Sequence, residues 1–323
     1  MDKLDIVKNF KNKKILLIGD TILDAYIYGR KVGKDLDCPL ASQVKETDVF
    51  RTFGGASLVA ANLLELGGHV FFVSVVGQDK NSEYYDSFTN SRLKKFFIVD
   101  KGRKTTTKNR IFVDGKKMLW LNQVSDREID PGIEKKLINS IKPLVKEIDL
   151  IVVADNQHGL LTENLTKQLI KLSKKYHKPL YADSQIGYKP GKHHLYRGAD
   201  CMFLNGREAK AVDPGLDIGK IKEKLGISNV VVKLGDRGAA ALFNGCHIQS
   251  SPYKVRVVDP CGAGDAFLAA FSMGDRRFPQ ESLSIANIWA ALAVTVQGTE
   301  APKKKDLMNI INKKSINGPN PTL

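Results

Sequence analysis

The residues best suited to do chemistry lie in one short stretch, Asp259-Pro260-Cys261-Gly262-Ala263-Gly264-Asp265. An apolar helical pattern starts at Ala263 and runs to about Met273, which predicts a helix that begins inside this stretch. The backbone N–H groups of Gly262, Ala263 and Gly264 would then stand at a helix N-terminus, where they can bind an anion. Glycine also lets a ligand approach the backbone closely and adopts positive φ without strain. The stretch therefore has the properties of a phosphate-binding turn.

Asp265 is the unexpected member of this turn, because a carboxylate repels a phosphate bound beside it. Its presence is explained if it accepts the proton of a substrate hydroxyl that attacks the phosphate. A second interpretation stays open, in which a strand over residues 253–258 is joined to the helix by a glycine-rich turn. Asp265 is then a first-turn carboxylate favoured by the helix dipole.

Apolar runs alternate with helical patterns along most of the chain. This predicts an α/β fold, a doubly wound, mostly parallel sheet flanked by helices, as one domain over residues 1–323. The first strand, Lys14–Gly19, is apolar on both faces and ends at Asp20, with Asp24 shortly after. Ligands of open α/β sheets bind at the carboxyl ends of strands, so both carboxylates are placed to bind hydroxyl groups. The alternative for Asp20 is the cap of a turn. Later predicted strands end at Asp155, Asp183 and Asn205.

Two segments, about 25–52 and 105–122, break the pattern of the main sheet. Residues 25–28 and 42–45 alternate polar and apolar side chains, which indicates exposed antiparallel strands. Residues 109–113 and 116–121 flank Asp114-Gly115, a pair well suited to a type I′ hairpin turn. The two segments therefore predict a small second sheet.

Composition restricts the ligands and the compartment. The chain has 323 residues, 42% of them hydrophobic, and a formal net charge of +15, which suits acidic ligands such as nucleotides and sugar phosphates. Much of the excess charge lies near the two ends, which favours a solvated lysine-rich face over a nucleic-acid site. The four cysteines show no CxxC spacing, and no apolar run reaches the length of a membrane span. We therefore expect reduced thiols, a cytoplasmic location, and neither nucleic acid nor membrane as a partner.

Two other phosphate-binding motifs are incomplete in this sequence. The segment at residues 29–35 is one residue short of a Walker A loop between its glycines and lacks the Ser or Thr. Gly262-x-Gly264 is half of a dinucleotide fingerprint, but Phe267 occupies the third glycine position. A nicotinamide dehydrogenase is therefore disfavoured.

The stretch Asp259 to Phe267, read as Asp-x-x-Gly-Ala-Gly-Asp-x-Phe, resembles the C-terminal signature of the ribokinase/PfkB carbohydrate kinases. The N-terminal signature of that family has a counterpart in residues 53–62, which continue to Leu66-Gly67-Gly68. Two signatures in the right order are far more specific than either alone. Within the family, residues 19–29 are most similar to the D-glycero-D-manno-heptose-7-phosphate kinases.

This resemblance implies ATP-dependent phosphorylation of a sugar or sugar phosphate, with Mg²⁺, in a ribokinase-like fold. Asp265 would be the general base, and Gly262, Ala263 and Gly264 the anion hole. The residues that would bind the acceptor sugar are Asp20, Asp24, Gly54, Gly55, Asn62, Lys108, Asp155 and Asp183. The residues that would bind the nucleotide are Asn205, Glu208, Lys233, Gly235, Gly238, Asp259 and Asn287. The second sheet would be a lid over the sugar and the contact of a homodimer.

Asn205 and Glu208 would in addition orient Mg²⁺ through bound water. A helix N-cap with Glu208 at its third position explains the same pair.

Several positions depart from the family pattern. Leu58 stands where the family usually has asparagine, with Asn62 as the nearest polar substitute, and Lys233 replaces a threonine of the nucleotide loop. Against the heptose-kinase branch, Gln185 replaces a lysine and Trp120 an arginine, while Lys108 and Arg110 are retained. A related sugar of surface-polysaccharide precursor synthesis is consistent with this pattern. The alternatives are a non-catalytic sugar- or nucleotide-binding protein on the kinase fold and a basic nucleic-acid-binding protein.

Overall fold

The computed structural model describes residues 1–38, 40–187 and 190–317, which form two β-sheets and flanking helices. The strands are β1 Lys14–Gly19, β2 Thr21–Lys34, β3 Ser42–Gly55, β4 His69–Gly77, β5 Leu93–Asp100, β6 Thr107–Val113, β7 Lys116–Gln123, β8 Leu150–Asp155, β9 Leu180–Ser184, β10 Cys201–Asn205, β11 Asn229–Lys233, β12 Ala239–Phe243 and β13 Cys246–Ser250. Residue 39, in the first predicted lid segment, lies outside the described residues.

The α-helices are α1 Lys3–Lys8, α2 Ala56–Leu66, α3 Lys80–Glu83, α4 Pro131–Leu144, α5 Glu163–Lys175, α6 Gly206–Val212, α7 Ile218–Leu225, α8 Ala263–Met273, α9 Pro279–Ala293 and α10 Lys304–Asn317. Short 3₁₀ turns cover Asn9–Asn12, Tyr84–Asp86, His193–Tyr196 and Gly235–Arg237. Within the described part of the chain, every helix is too short or too polar to span a membrane.

The larger sheet has nine strands in the order β13-β12-β11-β10-β9-β8-β1-β4-β5. Strands β4, β5 and β8 to β11 run parallel to β1, and β12 and β13 close one side as antiparallel strands. Side chains of β1 alternate between two buried layers. Leu17 faces the layer formed with α2, α8 and α9, and Leu16 faces the layer formed with α4, α5 and α7. The predicted doubly wound α/β architecture is confirmed.

The smaller sheet has four strands in the order β3-β2-β6-β7 and is built from the two segments that break the main pattern. Its β6–β7 hairpin turns at Asp114 (φ 48°) and Gly115 (φ 76°), the positive values that a type I′ turn requires. Strand β2 follows Asp20 directly, and its first residues pair with Gly54 and Gly55 at the end of β3. The small sheet is therefore joined to the carboxyl end of β1.

Two predicted elements differ from the structure. Residues 253–258 have no regular secondary structure and pair with no strand among the described residues, and Val257 and Val258 are 58% and 55% exposed. The chain leaves the sheet after β13, and Val258 N–H donates to the carbonyl of Val294 at 2.8 Å instead of to a ladder. The helix predicted over residues 284–297 begins earlier, because Pro279 occupies its first turn, and α9 ends at Ala293.

Asn62 does not lie where it was predicted, and its assignment to the acceptor sugar is wrong. Its side chain is fully buried between α2 and α9. The Nδ2 group donates to the Leu58 carbonyl at 2.8 Å, and Oδ1 accepts from Trp289 Nε1 at 2.7 Å. Because Asn62 lies on the core face of α2, it accepts the hydrogen bond of the buried Trp289 indole N–H.

Replacing Asn62 with alanine should therefore destabilise the fold without affecting sugar binding. Loss of the acceptor for buried Trp289 Nε1 is expected to lower the free energy of unfolding by about 1–3 kcal/mol, measured by urea unfolding. The control Asn139→Ala, on the exposed side of α4, should change it little. An unchanged stability together with a raised KM for the acceptor would restore the original assignment.

Candidate active site

Polar residues from five neighbouring parallel strands meet at one edge of the large sheet. Asp20 follows β1, Asp155 ends β8, Asp183 lies near the end of β9, and Asn205 and Lys233 end β10 and β11. The registers place them within two residues of one another along the strands, with Ala154 opposite Asp183, Phe203 opposite Asp183 and Asn205 opposite Lys233. Parallel strands therefore gather at a single edge the residues that the sequence distributes over more than 200 positions.

A cavity of about 850 Å³ opens at this edge beside the N-terminus of α8. Its lining includes most of the residues predicted to bind the nucleotide, which are Asn205, Glu208, Lys233, Gly235, Gly238 and Asn287. It also includes the predicted anion hole and base, Gly262, Ala263, Gly264 and Asp265, and one residue predicted to bind the acceptor sugar, Asp183. The backbone at Gly235 and Gly238 has φ of 63° and 85°, values that favour glycine in this loop. Asn287 Nδ2 donates to the Ser250 carbonyl at 3.1 Å and so ties α9 to the end of β13.

The turn before α8 has the predicted form. Gly262 is the N-cap with φ 81°, and no side chain caps the helix. The first N–H groups of a helix have no partner within it, so this uncapped end can bind an anion. A Cβ on Gly262 would lie 2.6 Å from Leu58 Cδ2, so a larger residue here would also have to displace that methyl group. Leu58, at the position where the family usually has asparagine, supports the turn from below.

Asp259 holds this turn in shape and does not line the cavity. Its Oδ1 accepts from Cys261 N–H at 3.0 Å and its Oδ2 from Gly298 N–H at 3.2 Å. Burial alone would raise the pKa of Asp259, but these donors outweigh it and hold the pKa below its ordinary value. The structure thus assigns Asp259 to the turn rather than to direct nucleotide contact.

Asp265 lies in the first turn of α8, facing the cavity. Burial raises the pKa of its carboxyl to about 7, and the negative charge of Asp183 adds to this effect. Lys233 and Lys108 oppose the shift, and Asp24 reinforces it. Asp265 therefore interacts both with the cavity residues and with the acids of the acceptor side.

Lys233 supplies a fixed positive charge beside the anion-binding turn. Its Nζ forms a buried ion pair with Asp183, and a Cβ on Gly264 would lie 3.4 Å from that Nζ. Burial would lower the pKa of Lys233, but the charges of Asp183 and Glu208 outweigh it and raise the pKa above its usual range. A lysine in place of the usual threonine thus gives the turn a permanently charged neighbour.

Asn205 and Glu208 form a capping box at the start of α6. Asn205 Oδ1 accepts from the N–H of Glu208 at 2.9 Å, and Glu208 Oε2 accepts from the N–H of Asn205 at 2.7 Å. The capping alternative is therefore confirmed. Burial raises the pKa of Glu208, with a further contribution from Asp183. Both residues still line the cavity, so capping does not remove them from a ligand placed there.

On the acceptor side, Asp20 and Asp24 lie against the two glycines of β3. Asp20 Oδ2 accepts from the backbone N–H groups of Asn156 at 2.9 Å and His158 at 3.4 Å, and burial raises the pKa of Asp20. A Cβ on Gly54 would lie 2.2 Å from Asp24 Oδ2, and one on Gly55 (φ 55°) would lie 2.8 Å from the Asp20 carbonyl. The glycines are thus required by the close approach of these acids.

Asp155 is held more completely than the sequence indicated. Its oxygens accept from Gln157 N–H, Ser184 Oγ and Tyr196 OH, each at 2.8 Å. Burial raises the pKa of Asp155, and repulsion from Asp20 raises it further. These donors fix the loop beside Asp20, so Asp155 supports the acceptor side from within the protein.

Lys108 and Arg110 bring positive charge from the small sheet. Lys108 lies opposite Asp24 in the β2–β6 register, and burial lowers the pKa of its ammonium, while Asp24 and Asp265 counteract this. Arg110 was not among the predicted site residues, yet its Nη1 donates to Asp24 Oδ1 at 2.6 Å. The sequence did contain a signal for Arg110: it lies two residues after Lys108, and residues i and i+2 of a strand share a face, so a site that includes Lys108 would also include Arg110.

A second residue that sequence reasoning missed lies next to the same carboxylate. Thr299 Oγ1 is 3.3 Å from Asp24 Oδ2 and 2.6 Å from Thr52 Oγ1. No motif marks Thr299, because it follows α9 in a segment without regular structure.

Comparison with known proteins agrees with this geometry. The family model described as pfkB family carbohydrate kinase matches residues 12–306. The bifunctional protein HldE of Campylobacter jejuni is 31% identical over 302 residues, which cover 88% of this chain and 62% of that protein. HldE of Nitratiruptor sp. is 28% identical over 294 residues, covering 87% and 61%. The chain thus spans about three fifths of the length of these relatives.

Solved structures share the fold. Arabidopsis thaliana ribokinase, complexed with ribose and ATP, superposes with a TM-score of 0.70 at 19% identity and covers 93% of this chain and 98% of its own. Escherichia coli phosphofructokinase-2, in complex with potassium, gives a TM-score of 0.73 at 18% identity, covering 94% and 99%.

The raised pKa of Asp265 predicts a pH-dependent stability that Asp265→Asn removes. The folded state keeps this proton up to about pH 7, whereas the unfolded state releases it near pH 4, so folding loses stability as pH rises between these values. At pH 8 the variant should therefore be more stable than the wild type by about 1–3 kcal/mol, with little difference at pH 4. Urea unfolding at both pH values measures this. Parallel pH profiles for the two proteins would contradict the burial of this charge.

Proposed function

We propose that this chain, which belongs to the pfkB carbohydrate kinase family, transfers the γ-phosphoryl group of ATP to a hydroxyl group of a sugar phosphate or a related sugar. The chain is a carbohydrate kinase by family and fold. The observation that carries the mechanism is the position of Asp265, in the first turn of α8, where it interacts with both Asp183 and Asp24. A base there reaches the phosphate turn and the acceptor side together.

The cavity supports ATP as the donor. Its volume of about 850 Å³ is in the range of small-molecule sites. Apolar side chains of residues 255, 257, 290, 291 and 294 line one part of it and suit a flat base, whereas Lys233 and the α8 N-terminus suit the phosphates. The nucleotide would therefore lie along the cavity with its terminal phosphate at Gly262 to Gly264.

The reaction follows from this placement. The acceptor hydroxyl, held by Asp20 and Asp24, attacks the γ-phosphorus, and its proton passes to Asp265. The new bond joins the acceptor oxygen to phosphorus while the bond to the bridging oxygen of ADP breaks. The N–H groups of the turn and the Lys233 ammonium stabilise the charge on the phosphoryl oxygens, where one such donor is typically worth ~3 kcal/mol.

A magnesium ion fits the site if the phosphates of ATP supply most of its ligands. The described residues contain no group of three or more His, Cys, Asp or Glu side chains that could hold a metal. Mg²⁺ would therefore be held mainly by ATP, with Asn205 and Glu208 reaching it through water. When bound, it neutralises phosphate charge.

The acceptor is proposed to be a heptose 7-phosphate or a closely related sugar used in surface-polysaccharide precursors. The resemblance of residues 19–29 and the retention of Lys108 and Arg110 support this class. ATP consumption should be measured across pentoses, hexoses, heptoses and their phosphates. Turnover with one of them would also exclude a non-catalytic binding protein, and no turnover with any would contradict the kinase assignment.

Asp265→Asn should lower kcat at least a hundredfold and leave ATP affinity nearly unchanged, because general-base help is typically worth about 10²–10⁴ in rate. Coupled measurement of ADP release gives kcat, and titration calorimetry gives the ATP affinity. The matched control is Asp306→Asn, an acid in the first turn of α10, which should keep wild-type turnover. Near-wild-type turnover in Asp265→Asn would overturn the assignment of the base.

The small sheet is proposed to form the contact of a homodimer. Strand β7 is an edge strand, and all of its residues are exposed. Met118, Leu119 and Leu121 are 65%, 52% and 57% exposed, on both faces of the strand. An apolar sheet edge of this kind is a site for pairing with another chain, and a second copy offers the same edge.

Leu119→Lys should therefore shift the protein from dimer to monomer, because a lysine on the edge places an unpaired charge in the contact. Light scattering with size-exclusion chromatography measures the mass. The control Val99→Lys changes an apolar residue of similar exposure on β5, an edge strand of the large sheet, and should keep the dimer. A wild-type monomer, or a dimer in Leu119→Lys, would count against this contact.

A further inference from the structure

One side chain from each strand of the small sheet joins a continuous stack that runs across it. The strand registers place Tyr26 of β2 opposite Phe50 of β3 on one side and opposite Arg110 of β6 on the other. Arg110 in turn lies opposite Trp120 of β7. The Phe50 and Tyr26 rings are stacked 4.6 Å apart. The Arg110 guanidinium lies 5.0 Å from the Tyr26 ring centroid and 5.3 Å from that of Trp120. The guanidinium is thus flanked by two aromatic rings.

Arg110 depends on these rings for its orientation. It is buried, and its Nη1 donates to Asp24 Oδ1 at 2.6 Å. Its Nε is buried without a hydrogen-bond partner in the described structure, so hydrogen bonds alone do not fix the orientation of the guanidinium plane. Stacking between the two rings fixes that orientation. A buried ion pair is favourable only when its geometry is well held. The rings on both sides provide that constraint.

Trp120 is the outermost member of the stack and differs from the others in exposure. It is 49% exposed, whereas Tyr26 and Arg110 are buried. Lys117 Nζ lies 5.5 Å from the Trp120 ring centroid. Little of the protein core therefore depends on Trp120. Its ring nevertheless covers the outer face of Arg110, the residue that forms the ion pair with Asp24.

We propose that Trp120 is a positioning residue that acts through Arg110 to hold Asp24 in the orientation that binds the acceptor hydroxyl. The second oxygen of Asp24, Oδ2, lies against Gly54 and near Thr299 Oγ1, so rotation of the carboxylate would displace it from both. The role of Asp24 in acceptor binding rests on the proposed function. The mechanical link from Trp120 to Asp24 does not.

Thermal unfolding tests that link without any substrate. Trp120→Ala is expected to lower the melting temperature by about 2 °C, because it removes a cation–π contact and with it the support of the Arg110–Asp24 ion pair. In an Asp24→Asn background the same change should cost less, because the cation–π contact is then lost alone. Leu121→Ala, which removes a residue of similar exposure on the other face of β7, should cost the same in both backgrounds. Equal costs of Trp120→Ala in both backgrounds would overturn the proposal.

Kinetics test the consequence for the acceptor. With an acceptor identified by ATP consumption, Trp120→Ala should raise its KM about five- to tenfold, leaving kcat and the KM for ATP within twofold. Trp120→Phe should restore most of the acceptor KM, since a phenyl ring also stacks on guanidinium. An unchanged acceptor KM, or an equal rise in the KM for ATP, would overturn the proposal. If no sugar is turned over, the proposed function fails, and the melting experiment still decides the link. Light scattering on each variant separates these effects from a change of oligomeric state.

Discussion

The structure depends on balancing the negative charge that is buried at the carboxyl ends of the parallel strands. The parallel strands bring Asp20, Asp155 and Asp183 to one side, and α8 adds Asp265. Burial penalises each of these charges unless a cation or several donors compensate it. Hydrogen bonds from loops and side chains compensate Asp20 and Asp155, and Lys233 compensates Asp183. Burial still raises the pKa of Asp20, Asp155 and Asp265, and the pKa of Asp265 reaches about 7, where a general base works best.

The second sheet contributes to the same balance and so is part of the site. Lys108 of β6 interacts with Asp24 and Asp265, Arg110 of β6 forms an ion pair with Asp24, and both cations would be costly to bury without those acids. These acids and the cations of the small sheet therefore stabilise each other. This mutual dependence explains why β2 continues directly from Asp20 and pairs with the end of β3 at Gly55. The pairing of the start of β2 with the end of β3 keeps the acids and the cations close to one another.

Sequence periodicity was sufficient for the elements that carry this site. Apolar runs located the strand ends at Asp20, Asp155 and Asp183, and α8 begins at the predicted residue. What failed were assignments that depend on neighbours far away in the chain. Residues 253–258 have strand composition but no partner strand among the described residues, and Asn62 meets a tryptophan more than 200 positions later. The stack through Trp120 was equally hidden, because it requires the register of four strands.

Departures from a family motif acquire meaning only through such contacts. Leu58 packs on Gly262, so loss of a polar group there is compensated by support of the turn. Lys233 sits between Asp183 and Glu208 near Gly264, where it lowers the proton affinity of Asp265. A phosphate bound at the turn would act in the opposite sense, since negative charge near a carboxylate raises its pKa. Lys233 and a bound phosphate would therefore act on the proton affinity of Asp265 in opposite directions.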